Sequence, residues 1–352
     1  MPSSTYVMDY SLTDLEHLFV QLNQPRFRAK QLHDWLHCKH AFSYEEMSNL
    51  PKQLREILSE QLPLNKPSVA DRQVSSDGTR KYILRLHDGN LVETVGLPSF
   101  DSHGEIKRLT VCFSTQVGCA MQCAFCATGK EGFTRNISSW EMLDQIAVVE
   151  RDFDHRVTNV VAMGQGEPFL NYDETISALR KMNDETRFNI GARHITVSTC
   201  GVFSGIDKLS DEPEQFTLAI SLHSAIQDIR NALMPKMENQ PLRQLKKVLG
   251  NYIRKTNRRV TIEYLLIKDI NDQEEDLNAL ISFANGLLCH VNLLPMNSVE
   301  GSELQPSDSV TVDHWVQTLN SKGIETTIRQ SRGSDISGAC GQLKNQWTSD
   351  LS

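Results

Sequence analysis

Three cysteines in the stretch Cys119-Ala-Met-Gln-Cys123-Ala-Phe-Cys126 constrain this chain more than any other feature. The three-then-two spacing puts three thiols on one short loop. Iron–sulfur clusters are ordinarily held by four thiolates. A loop that supplies three leaves one iron of a [4Fe–4S] cluster open to a distant protein ligand or to a small molecule. Zinc is the rival, because three cysteines and a fourth ligand also make a structural zinc site. Zinc ribbons usually carry two CxxC pairs, and no second pair exists here, so the spacing favours the cluster. The other five cysteines, Cys38, Cys112, Cys200, Cys289 and Cys340, are scattered. That density does not describe a disulfide scaffold, and Cys38 and Cys289 read as small buried hydrophobes.

The 352 residues suffice for one large domain and a smaller one. With 39% hydrophobic and 23% charged residues, a sizeable core is expected. No apolar run approaches the roughly 18 residues of a membrane span. The stretch Met1–Tyr6 lacks the basic-then-apolar pattern of a signal peptide, so a cytoplasmic location without membrane contact is expected. The net charge of −8 argues against a general nucleic-acid binder. One segment runs the other way: Arg243, Lys246, Lys247, Arg254, Lys255, Arg258 and Arg259 have no acidic residue among them from Pro241 to Val260. It reads either as a solvated helix face or as a phosphate-contacting patch.

Residues 11 to about 65 carry helical periodicity. Leu12, Leu15, Leu18 and Phe19 share a face, as do Phe27, Leu32, Trp35 and Leu36. Ser43 and Glu46 have the spacing of a capping box. Pro63 and Pro67 mark a boundary. Lys81–Leu86 and Leu91–Val95 flank Asp88-Gly89, a hairpin signal, and Pro98–Ile106 reads as a loop. From Leu109 strands and helices alternate. Strands are expected at Leu109–Ser114, Asn159–Met163, His194–Ser198, Phe216–Ser221, Val260–Leu266 and Val291–Pro295, with a last one at Glu325–Arg329. Helices are expected around Ser139–Arg151, Tyr172–Met182, Pro241–Thr256, Gln273–Leu287 and Val312–Lys322. Such alternation implies parallel strands with crossover helices. The expected fold is therefore α/β, a partial six-stranded (βα)6 barrel with an N-terminal helical domain and a β-hairpin extension. The expected domains are 1–65, 66–108 and 109–345. Gly333 and Gly338 suggest a flexible tail bearing Cys340.

The three-cysteine loop follows the first barrel strand, and in parallel α/β proteins the C-terminal strand ends carry the chemistry. Gly166 and Glu167 follow the second strand, Ser198 ends the third, Ser221-Leu222-His223 the fourth, and Asn297 follows the sixth. All would point to one rim, where Glycine lets the backbone approach a ligand and Glu167 can accept a bond from an ammonium group. Phe125 reads as a shield for the cluster or as core packing.

The loop resembles that of the radical S-adenosylmethionine (SAM) superfamily. The whole chain resembles the RlmN/Cfr family of radical SAM RNA adenine methyltransferases. The likeness runs through Arg26-Phe-Arg-Ala-Lys-Gln-Leu32, Asp88-Gly-Asn-Leu-Val-Glu-Thr94, Cys112-Phe-Ser-Thr-Gln-Val-Gly-Cys119, Phe125–Asn136, Gly166-Glu-Pro168, Thr196-Val-Ser-Thr199, Ser221-Leu-His223, Leu233-Met-Pro235 and Asp335–Leu343. It implies that SAM completes the open iron, with Gly166, Glu167, Ser198, Ser221, Leu222, His223 and Asn297 around it. It implies two SAM per turnover: one methylates Cys340, the other yields the radical that takes a hydrogen atom from that methyl group. The carbon then adds to adenine, and Cys112 forms a disulfide with Cys340 to release the product. Glu93 corresponds to the proton acceptor.

The same resemblance implies an adenine carbon as target, C2 rather than C8, in 23S rRNA, with tRNA as a further candidate. RNA would dock on the helical module and the basic segment, its target base exposed. A flavodoxin or ferredoxin as electron donor and a monomeric state are expected. The chain departs from the family pattern at Gln165, Cys200 and Ser337-Gly338 without losing a ligand. Those departures keep open a C8-methylating paralogue with another RNA target, or a radical SAM enzyme acting on a substrate other than RNA. A noncatalytic iron–sulfur protein would need neither Cys340 nor the rim residues.

Overall fold

The computed structural model describes residues 7–297 and 303–343. Met1–Tyr6, and residues 344–345 of the expected third domain, lie outside the described residues. Three helices come first, α1 (Leu12–Gln21), α2 (Phe27–His37) and α3 (Lys52–Gln61). They bury Leu15 and Phe19, Ala29, Leu32 and Leu36, and Leu54 and Leu58 against each other. Ser11 and Asp14 cap α1 reciprocally. Two expectations fail here. Phe27 is 58% exposed, because it sits five residues before Leu32, about 140° around the helix from the buried stripe. Ser43 and Glu46 form no capping box: Tyr44–Glu46 is a single 3-10 turn with no side-chain cap. The Glu46 carboxylate pairs instead with Arg151, 3.1 Å away, on the helix Ser139–Phe153.

Four strands follow, β1 (Ser68–Val74), β2 (Arg80–Arg85), β3 (Leu91–Phe100) and β4 (Ile106–Cys112), paired antiparallel in order. The expected loop over Pro98–Ile106 shrinks to a turn, since Pro98 pairs with Leu109 and Phe100 with Ile106. β2 pairs with β3 only as far as Gly96, so Pro98 sits where one flank of the strand is free and its missing N–H is tolerated.

The chain then forms β5 (Gln116–Gly118), α4 (Ala127–Glu131), β6 (Phe133–Asn136) and α5 (Ser139–Phe153). The alternation continues with β7 (Asn159–Ala162), α6 (Tyr172–Asn183), β8 (Ile195–Thr199), α7 (Phe203–Leu209), β9 (Thr217–Ser221), α8 (Gln227–Leu233) and α9 (Leu242–Thr256). It ends with β10 (Val260–Leu266), α10 (Glu274–Ala284), β11 (Cys289–Pro295), α11 (Ser309–Ser321) and β12 (Thr326–Ile328). Strands β4, β7, β8, β9, β10, β11 and β12 are parallel neighbours in that order. The six expected barrel strands are all in this run, and the expected last strand adds a seventh. With β1–β3 they make one ten-stranded mixed sheet, while β5 and β6 pair separately. Among the described residues, no helix is long and apolar enough to cross a membrane.

The basic segment lies on α9, which buries Leu245, Val248, Leu249 and Tyr252 against the sheet. A crossover helix runs back toward the start of the next strand. The last turn of α9 therefore lies beside the first residue of β10, at the edge opposite the cysteine loop. There Lys255 pairs with Asp211 and Arg259 with Glu325. Folding thus brings acids from other elements to two of the seven basic residues, both at the end of the segment.

Candidate active site

Beyond β4 and β5 the chain enters the Cys119–Cys126 loop. Cys119 N–H donates to Gly132 O (2.7 Å), Ala124 N–H to Leu233 O (2.9 Å) and Cys126 N–H to Cys123 O (3.2 Å). α4 packs so closely that a Cβ on Gly129 would come within 2.9 Å of Cys123 N. All three cysteines line one cavity. Burial pushes the Cys119 thiol up to about 12 and raises Cys126, so both are thiols until a metal displaces their protons.

Among the described residues, no three His, Cys, Asp or Glu side chains converge on a single-ion site. A four-iron cluster takes each thiolate on a different iron, so its sulfurs need not converge. A second observation fits an anionic cluster. Arg230 is fully buried beside this loop, with Nε and Nη1 lacking hydrogen-bond partners.

The strand-end residues gather on the same cavity. Gly166, Glu167, Ser198, Ser221, His223 and Asn297 all line it, with Phe125. Gly166 has φ +106°, and a Cβ there would come within 2.8 Å of Gln116 N. Glu167 is buried, which raises its pKa. Its two oxygens accept Phe169 N–H (3.0 Å) and Cys200 N–H (2.7 Å). Ser198 Oγ lies 3.5 Å from Ser221 Oγ. His223 Nδ1 accepts Leu265 N–H at 3.1 Å. Burial, with the Arg230 charge, pushes its pKa down to about 3, so the ring is neutral and carries its proton on Nε2. Phe125 meets it edge-on at 4.7 Å. Leu222 is the exception: its side chain is fully buried in the hydrophobic core and off the cavity.

A second, adjoining cavity contains two further thiols. Cys112 and Cys340 line it, and Cys126, Asn297, Arg329 and Cys340 line both cavities. Both thiols are free. Burial, and then the neighbouring Cys340, pushes Cys112 up to about 12. The segment bearing Cys340 is not loose as expected. Gly341 O accepts Ala127 N–H (2.8 Å) and Leu343 O accepts Thr128 Oγ1–H (2.8 Å) on the cluster side. Asn297 Nδ2 donates to Cys340 O (3.2 Å). On the hairpin side Asp335 accepts Ser76 N–H (3.1 Å), Asp77 accepts Gly333 N–H (3.2 Å) and Arg332 donates to Pro98 O. The tail thus crosses from β12 to the β1–β2 turn and suspends Cys340 between the two walls.

Glu93 is fully buried and lines neither cavity. It lies two residues from Val95, the register partner of Cys112, and so on the same face of the sheet. Lys81, itself 3% exposed, stands 3.4 Å from its carboxylate. Sequence reasoning missed Lys81 and also Arg329, whose Nη1 lies 3.2 Å from Met163 Sδ. The neighbouring Cys340, then Glu263 and Cys112, raise the Arg329 pKa. Neither residue has a motif around it; only the fold brings Lys81 to Glu93 and Arg329 to the two thiols.

Comparison with known proteins agrees with this geometry. Residues 113–281 match the model of the radical SAM superfamily, and residues 5–63 that of the ribosomal RNA large subunit methyltransferase N-terminal domain. The chain is 41% identical over 342 residues to the probable dual-specificity RNA methyltransferase RlmN of Clostridium novyi, covering 97% of this chain and 98% of that one. It is also 41% identical over 358 residues to the protein of the same name from a Synechococcus species, covering 100% and 99%. The crystal structure of a radical SAM methyltransferase from Sphaerobacter thermophilus superposes with a TM-score of 0.88 at 40% identity, covering 96% and 98%. Radical SAM proteins use a [4Fe–4S] cluster and SAM, and the three-thiol loop fits that pair. With likeness of this extent along both chains, the protein belongs to the RlmN family of radical SAM methyltransferases.

Proposed function

We propose that the protein methylates carbon 2 of an adenine in 23S rRNA, with tRNA as a second substrate. The observation that carries this reading is the position of Cys112 and Cys340 on a cavity adjoining the one lined by Cys119, Cys123 and Cys126. A radical enzyme acting on a peptide or small molecule has no need of that pair. Adenine ring carbons are poor nucleophiles, so polar methyl transfer to them fails. Bound together, cluster and SAM supply a methyl group and a hydrogen-abstracting radical.

The protein's own groups do the rest. Cys119, Cys123 and Cys126 hold the cluster, and Gly166, Glu167, Ser198, Ser221, His223 and Asn297 surround SAM. Cys340 takes the methyl group on sulfur, a task suited to a thiolate, and carries it to the base. Cys112 forms the disulfide with Cys340 that frees the product, a step that needs two thiols able to meet. Glu93, buried on the same face of the sheet as Cys112 but lining neither cavity, receives the proton by way of Cys112 rather than from the base itself. The helical domain docks the RNA by its shape and phosphates, a role that the name of its family model supports. The protein works in the cytoplasm as a monomer, with flavodoxin or ferredoxin as electron donor.

Nucleoside mass spectrometry of rRNA and tRNA from a deletion strain tests the target. Loss of 2-methyladenosine is expected, whereas loss of 8-methyladenosine alone would move the enzyme to the C8 branch. Peptide mass spectrometry should find S-methylcysteine at position 340. Full RNA methylation by a Cys340→Ala variant would defeat the proposal.

A further inference from the structure

Arg230 is a fully buried charge with no acid paired to it among the described residues. It lies on α8 and is 0% exposed. Nη2 donates to Cys200 O at 2.6 Å, while Nε and Nη1 have no hydrogen-bond partner. The ionisable groups nearest in effect are Cys200 and Cys123, and among the described residues no carboxylate pairs with it. Its surroundings are otherwise closed. A Cβ on Gly201 would come 3.4 Å from Nη2 and 3.2 Å from Leu245 Cδ1. His223, which also feels its charge, is neutral. Burying an uncompensated cation costs several kcal/mol, so a fold that keeps one needs an anion to offset it.

The anion belongs at the cysteine loop. α8 meets that loop directly, through the 2.9 Å bond from Ala124 N–H to Leu233 O. Three thiolates on a [4Fe–4S] core give a net negative charge, and reduction adds one more. We propose that Arg230 is the buried counter-charge of the cluster, and that it raises the cluster's reduction potential so that an electron can be accepted. Cluster potentials depend on net charge, hydrogen bonds and exposure. A fixed cation in a closed, weakly screening interior stabilises the reduced state more than the oxidised one. Arg230 is a positioning and tuning residue, and it touches no reacting atom in this scheme. The inference rests on the cluster-binding reading of the site and is independent of the RNA target.

The test uses full-length wild type, Arg230→Gln, which keeps a donor for Cys200 O but loses the charge, and Arg230→Lys. Each is reconstituted anaerobically, analysed for iron, and titrated by EPR-monitored redox potentiometry. Arg230→Gln should load as much iron as wild type. At a fixed potential its reduced-to-oxidised ratio should fall about tenfold, a shift of about 59 mV to the negative for one electron. Arg230→Lys should stay near wild type. A loaded Arg230→Gln cluster with an unmoved potential overturns this inference alone. A wild-type protein that takes up no [4Fe–4S] cluster overturns the functional reading with it. Thermal unfolding of the cluster-free chains gives a second readout. Without its anion the charge is a burden, so Arg230→Gln should melt no lower than wild type, and a clear drop in Tm would overturn the inference.

Discussion

The two walls of the active site are built in opposite ways. The cluster wall is a single loop, eight residues from Cys119 to Cys126, clamped by backbone bonds to Gly132 and Leu233. The thiol wall has no such unit. Cys112 comes from the end of β4, Arg329 from just beyond β12 and Cys340 from the crossing tail, with Glu93 on β3 and Lys81 on β2 buried off the cavity. The first wall owes its geometry to short-range spacing, the second to sheet order. Losses on the first should therefore be total, and losses on the second separable.

The largest expected effect breaks the walls apart. Cys123→Ala should remove both the iron and RNA methylation. Cys340→Ala should keep the iron, measured chemically, and lose methylation by roughly 10³-fold or more, the scale seen when a nucleophile is removed. Equal iron loss in both would mean that the walls are not independent. Within the thiol wall, Cys112→Ala should stop product release, so that covalent protein–RNA species accumulate on denaturing gels. Rapid turnover by that variant would remove Cys112 from the scheme.

A smaller effect concerns stability. Lys81→Met leaves Glu93 buried without its cation, and breaking a buried pair typically costs about 3–5 kcal/mol, read as a lower denaturation midpoint. Lys81→Met with Glu93→Gln should recover part of the loss. No loss in the single variant would make the pair incidental.

Acid compares the helical domain with the barrel. Burial, with nearby Arg187, pushes His37 down to about 2, and burial with Arg230 pushes His223 to about 3. A base with a depressed pKa binds its proton more readily when unfolded. Its contribution to stability is present above the ordinary value of 6.5 and is lost as pH falls from 6.5 toward 2 or 3. Each group should cost about 1.4 kcal/mol per pH unit in that window. His37→Phe should flatten the helical domain's share of this slope; an unchanged slope would show that His37 does not titrate as its burial implies. The smallest effect is at α9. Arg243→Glu with Lys247→Glu should change RNA affinity less than about twofold, since no α9 residue lines either cavity; a tenfold loss would restore the phosphate-patch reading.

The sequence made the cluster wall legible because its information is local. Three cysteines within one turn of chain can bind only as a set, whatever surrounds them. The alternation of apolar strands and amphipathic helices similarly announced the parallel sheet, and rim residues such as Glu167 and Ser198 followed from strand ends. Leu222 shows the limit of that logic: next to Ser221 and His223 in sequence, it points into the core, because adjacent residues at a strand end face opposite ways. Phe27 and the Ser43–Glu46 spacing show it again, where a helix stripe and a tertiary partner overrode local patterns.

By itself, then, the order of residues determined the three-cysteine loop, the strand succession and the presence of Cys112 and Cys340 outside it. Only the tertiary structure decided that Cys112 and Cys340 share a cavity and that Arg329 stands between them and Glu263. It alone decided that Glu93 has a buried cation, that Lys255 and Arg259 of the basic stretch meet acids, and that Arg230 is buried beside the cysteine loop. The physical reason is range. Periodicity and spacing act over a few residues, while charge compensation and burial depend on which distant segments the sheet lays side by side.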